Sequence, residues 1–117
     1  MRTYVRYDGG VTAQGSEYTA FKRALGTGDL ELVVPALAAL PHVELLDVVE
    51  VLELMAQHGD PRYDRSAARF CARLVTERRL TVEESRRTLA LAEVMPLAPH
   101  PIAEHLRLYC RRELRPA

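Results

Sequence analysis

From Ser16 onward, apolar side chains recur three and four residues apart, the spacing that lines up one face of an α-helix, and no strong two-residue alternation of a strand interrupts them. Six helices follow from this pattern. Ser16 is the expected N-cap of the first, with Tyr18, Phe21 and Leu25 on one face and Gly26 as its stop. Asp29 caps the second, Leu30 to Leu40, in which Pro35 should kink the helix or confine it to shorter pieces and beyond which Pro41 closes the run. The third spans about His42 to Gln57, carries Val, Leu or Met at nine of sixteen positions and stops at His58-Gly59, which marks it as the central helix. The fourth follows Pro61 and Asp64 and buries Ala67, Phe70, Cys71 and Leu74, with Val75 at the margin. Thr81 and Glu84 form a capping box for the fifth, which runs to Met95 and turns Leu89, Leu91, Ala92 and Met95 inward. After Pro96 and Pro99, Pro101 sits in the first turn of the sixth, which buries Ile102, Leu106, Tyr109 and Cys110, with Leu114 at the margin, and exposes Arg107, Arg111 and Arg115. The expected fold is all-α, about six antiparallel helices in a short solenoid or a bundle, forming one domain over residues 16–117.

Residues 1–15 stand apart. Tyr4, Val5 and Tyr7 precede Asp8-Gly9-Gly10 and Val11, a pattern that fits a weak hairpin, an extended arm or disorder. No apolar run approaches membrane-spanning length and the N-terminus lacks the apolar core of a signal peptide, so a cytoplasmic location is expected and no membrane partner. At 117 residues, 48% apolar and 27% charged, the chain is large enough to bury a core without metals or disulfides. Cys71 and Cys110 lie inside apolar helical patterns and are expected as core thiols.

Charge changes this picture more than composition does. Sixteen basic residues balance sixteen acidic ones, which excludes a global field that would draw the molecule onto nucleic acid. Residues 1–60, however, carry 4 Lys or Arg against 9 Asp or Glu, and residues 61–117 carry 12 against 7. Glu44, Asp47, Glu50 and Glu53 recur every third residue of the third helix and predict one narrow solvated acidic stripe. Arg65, Arg69 and Arg73 predict an exposed basic ridge on the fourth, and Arg78-Arg79, Arg86-Arg87 and Arg111-Arg112 form pairs that suit phosphate or carboxylate. Glu83 stands four residues before Arg87, the favourable order for a surface ion pair.

Two segments are alike: Gly28-Asp29-Leu30 leading into an Ala/Leu-rich helix, and Gly59-Asp60-Pro61 leading into Arg65, Ala67, Ala68 and Ala72. Residues 28–79 thereby resemble the turn and second-helix pattern of HEAT or armadillo repeats, although 31 residues between the aspartates is shorter than the usual repeat of about 40 or more. The resemblance implies stacked helical hairpins that present a partner-binding surface and perform no chemistry.

Candidate chemistry is sparse. His100, Glu104 and His105 are the nearest approach to a metal signature, but their spacing departs from the inverted zincin pattern, and a cap histidine with exposed helix polars is the simpler reading. Neither cysteine has a base in good register, no serine stands on a nucleophile elbow, and Gly26-Thr27-Gly28 lacks the Lys and Ser or Thr of a phosphate loop. No cofactor, metal or catalytic residue is expected. The functional expectation is a non-enzymatic adaptor or regulatory module that binds a protein partner, or a second copy of itself, through the acidic stripe and the basic ridge. The alternative is phosphate binding to nucleic acid through the arginines of the C-terminal half.

Overall fold

A computed structural model of the chain describes the backbone of residues 9–112 and the side chains of residues 15–112. It is all-α, with six helices and no strand among the described residues: α1 Gly9–Thr27, α2 Leu30–Ala38, α3 Leu45–His58, α4 Tyr63–Arg78, α5 Val82–Val94 and α6 Pro99–Cys110, with a short 3-10 turn at Met95–Leu97 before α6. None of these helices is long and apolar enough to cross a membrane. They fall into two compact units, one up to Val43 and one from Glu44 on.

In the first unit α1 packs on α2, and Phe21, Ala24, Leu30 and Val33 are buried. The helical backbone reaches back to Gly9, so Ser16 lies inside α1 and does not cap it. The expected arm falls outside the described residues over 1–8. Gly26 does not stop α1, which runs on to Thr27; the left-handed residue is Gly28, at φ 72°, and the Asp29 side chain then caps α2 as expected, accepting from the Glu31 N–H. Pro35 lies within α2, which ends three residues later at Ala38.

In the second unit α3 packs on α4 and α6, and α5 lies against both α4 and α6. The core draws Val49, Leu52 and Met55 from α3, Phe70 and Leu74 from α4, Met95 from the 3-10 turn and Leu106 from α6. Gly59, left-handed at φ 61°, stops α3. Asp60 then accepts from the Arg62 N–H and turns the chain into α4. The capping box of α5 is present in full, Thr81 bonding the Glu84 N–H and Glu84 the Thr81 N–H.

Two sequence expectations about the core need correction. Leu89 was placed inward but is 52% exposed, while Glu84 and Thr88 are buried on α5. Ile102 and Tyr109 are half-buried, and Ala103 takes a fully buried position between them. Tyr63, unassigned by the pattern, is buried, and its hydroxyl donates to the Ala92 carbonyl at 2.6 Å. Pro96 stands four residues after Ala92 and has no N–H to offer that carbonyl, so Tyr63 supplies the donor that α5 lacks.

Candidate functional site

The acidic residues of α3 do not form a solvated stripe. A three-residue step falls about 60° short of a full helical turn, so four such positions wrap about half the cylinder. Glu44 is exposed at the N-cap, Glu50 is half-buried, Asp47 is buried, and Glu53 turns onto α6. There the Glu53 carboxylate accepts from Arg107 Nη2 at 2.9 Å and lies 3.0 Å from His100 Nδ1. Arg107 also pairs with Glu104. Glu53 and Arg107 are both only 13% exposed, which corrects the expectation that Arg107 is a solvated residue. Burial works against the Arg107 charge, but the two carboxylates outweigh it and hold its pKa above the ordinary value.

The basic ridge of α4 also divides. Four-residue steps overshoot a turn by about 40°, so the row Arg65, Arg69, Arg73 drifts around the helix. Arg65 and Arg69 are exposed and make no ion pair among the described residues; Arg73 is half-buried and bonds Glu77 at 2.8 Å. Of the arginine pairs, two have a member that holds the end of the bundle together. Arg78 Nε donates to the Cys110 carbonyl at 2.8 Å, satisfying a backbone acceptor at the C-terminus of α6. Arg112 Nη1 pairs with Glu84 at the start of α5 and lies 5.3 Å over the Tyr109 ring. Their neighbours Arg79 and Arg111 are exposed at the C-caps of α4 and α6. Arg86 and Arg87, on the open side of α5, are exposed and unpaired among the described residues, so the expected Glu83–Arg87 ion pair is not made.

Two grooves flank α5. The first, about 330 Å³, runs between α4 and α5 and is lined by Tyr63, Asp64, Ala67, Ala68, Leu89 and Glu93, with Cys71 and Ala92 at its base. The second, about 480 Å³, runs between α5 and α6 and is lined by Arg87, Ala90, Leu91, Val94, His105 and Tyr109. Sequence reasoning missed both, because each is defined by residues on two helices that no local spacing relates.

The residues weighed for chemistry are drawn apart. His100 engages Glu53, Glu104 engages Arg107 and His105 faces the α5–α6 groove, so the three do not converge on one point. Burial pushes the Cys71 thiol up, and it pushes Cys110 up to about 11 in spite of the nearby arginines. Both cysteines are therefore protonated core thiols at neutral pH. No protein-family model, curated protein or solved structure matches this chain.

Proposed function

We propose that the chain is a non-enzymatic helical module, of the repeat-like or bundle kind, that binds a protein partner through the open face of α4 and α5. One observation supports this most: Leu89, which the helical pattern would bury, stands half-exposed over the α4–α5 groove, and Arg65, Arg69 and Arg86 extend from the same two helices without internal partners among the described residues. Exposed apolar side chains and unpaired arginines on neighbouring helices are a composition favoured in protein interfaces. On α3, Glu53 is taken up by Arg107 and His100 and Asp47 is buried, which moves the proposed contact from the acidic stripe to α4 and α5.

The test is a full-chain variant carrying Arg65→Glu, Arg69→Glu and Arg86→Glu, compared with the unaltered protein by quantitative cross-linking in the cells that make it. A partner whose cross-links map to α4 and α5, and whose yield falls about tenfold or more in a variant of unchanged melting temperature, is the expected result. Equal yield from the variant, or cross-links confined to other helices, overturns it.

The unpaired arginines also suit phosphates, which supports nucleic-acid binding as the second reading. Anisotropy with labelled mixed-sequence single- and double-stranded oligonucleotides, across a salt series, separates the two. Tight binding at low salt that collapses as salt rises would put the second reading first.

A further inference from the structure

The α5–α6 groove has a different character from the α4–α5 face. Its walls are apolar: Ala90, Leu91 and Val94 from α5 and the Tyr109 ring from α6. Among the described residues no carboxylate lines it, and the charged or readily protonated groups there are Arg87 and His105, one from each helix. Tyr109 is itself held, because Arg112 lies over its ring and is anchored in turn by the buried Glu84. One wall is thus fixed before anything binds.

Arg87 carries the argument. Glu83 is in the right place, four residues earlier, to neutralise it, yet the two do not pair and no other described carboxylate takes its place. A guanidinium left unneutralised beside an apolar cleft, with an imidazole on the facing helix, is complementary to a ligand with one anionic head and an apolar body. A volume of about 480 Å³ falls within the range of small-molecule sites, which are mostly apolar with a few placed polar groups. Among the described lining residues a polyanion such as a nucleotide would find two groups able to be cationic, Arg87 and His105.

We propose that the α5–α6 cleft binds a small amphipathic monocarboxylate, its carboxylate on Arg87 and His105 and its chain along Ala90, Leu91, Val94 and Tyr109. This site is separate from the proposed protein-binding face and does not depend on it.

The probe is sodium octanoate, titrated into the full-length isotope-labelled protein and followed by amide NMR, with octanol and inorganic phosphate as matched controls for the tail and the charge. Saturable shifts confined to residues around the cleft are expected, with octanol and phosphate each weaker by about tenfold or more. Arg87→Glu should weaken octanoate by at least about tenfold without changing the melting temperature, because the side chain is exposed and unpaired. Arg23→Glu, the same charge change on α1, should leave binding unaltered. Absence of saturable shifts, shifts centred on the α4–α5 groove, or undiminished binding in Arg87→Glu overturns the proposal. So does selective occupation of the cleft by an acidic leucine-rich helical peptide where octanoate fails, which would make it a protein-docking groove.

Discussion

Arg79 has the only left-handed non-glycine backbone among the described residues, φ 52°, at the C-cap of α4. A Cβ in that conformation crowds the following carbonyl, whereas glycine at such a cap is free of the clash. Arg79→Gly is therefore expected to raise stability by about 0.5–1 kcal/mol in urea unfolding, less than the full relief because glycine also frees the unfolded chain. Asp60 gives a pH signature. Arg62 donates to its carboxylate from the side chain and the backbone, and these bonds hold its pKa down at about 2. A lowered native pKa contributes stability that is complete above the ordinary carboxylate range and is lost as pH falls through about 2. The melting-temperature gap between the protein and Asp60→Asn should accordingly be constant above pH of about 5 and shrink toward pH 2. The two thiols should react with a disulfide reagent at pH 8 only slowly until urea opens the fold, since burial keeps them protonated as well as covered.

At the scale of elements, the helices are tied by single long-range polar contacts at points where the backbone needs them. Tyr63 and Ala92 are 29 residues apart, and their bond exists because Pro96 leaves a carbonyl of α5 without its usual donor. Tyr63→Phe keeps the packing and removes only the donor, so a loss of about 1–2 kcal/mol in urea unfolding is expected. The α3–α6 contact depends in the same way on Glu53. Glu53→Ala would leave Arg107 largely covered without its main acceptor, at a cost of about 2 kcal/mol, whereas Glu104→Ala, removing a more exposed partner, should cost well under 1. The two Gly-Asp segments that look alike in the sequence make the same local turn: a left-handed glycine, then an aspartate whose side chain accepts from the N–H two residues on. That shared chemistry accounts for their likeness at the level of the turn.

Over the whole molecule, the charge asymmetry of the sequence dissolves once it is counted by structural unit. From Glu44 to the C-terminus, twelve arginines face twelve carboxylates, because the acidic residues of α3 belong with the basic residues of α4 to α6. The imbalance between residues 1–60 and 61–117 is thus a dipole of the sequence, cut through the middle of one balanced unit. Glu53 with Arg107, and Glu84 with Arg112, are where that balance becomes direct contact. With no net field to concentrate a polyanion, non-specific oligonucleotide binding at 150 mM salt should be weaker than about 100 μM in the anisotropy series.

What the sequence determined by itself is what local chemistry enforces. Helical spacing, the stop at Gly59, the Asp29 cap, the Thr81 and Glu84 box and the break at Pro96 act within one turn of chain, and each appears where the residues put it. Both ends of α1 depart from this, since its helix extends to Gly9 past the Ser16 cap signal and runs through the expected stop Gly26 to Thr27. Only the tertiary structure decided which polar residues face water. Whether Glu53 or Glu50 is covered, whether Arg73 joins the ridge or Leu89 leaves the core, depends on where a slowly drifting row of side chains meets the neighbouring helix. Pairs such as Glu84 with Arg112, 28 residues apart, have no local signal at all. The two grooves beside α5, and the place of the unpaired Arg87 in the second, arise at that level, because a groove is a property of two surfaces and a sequence specifies each surface separately.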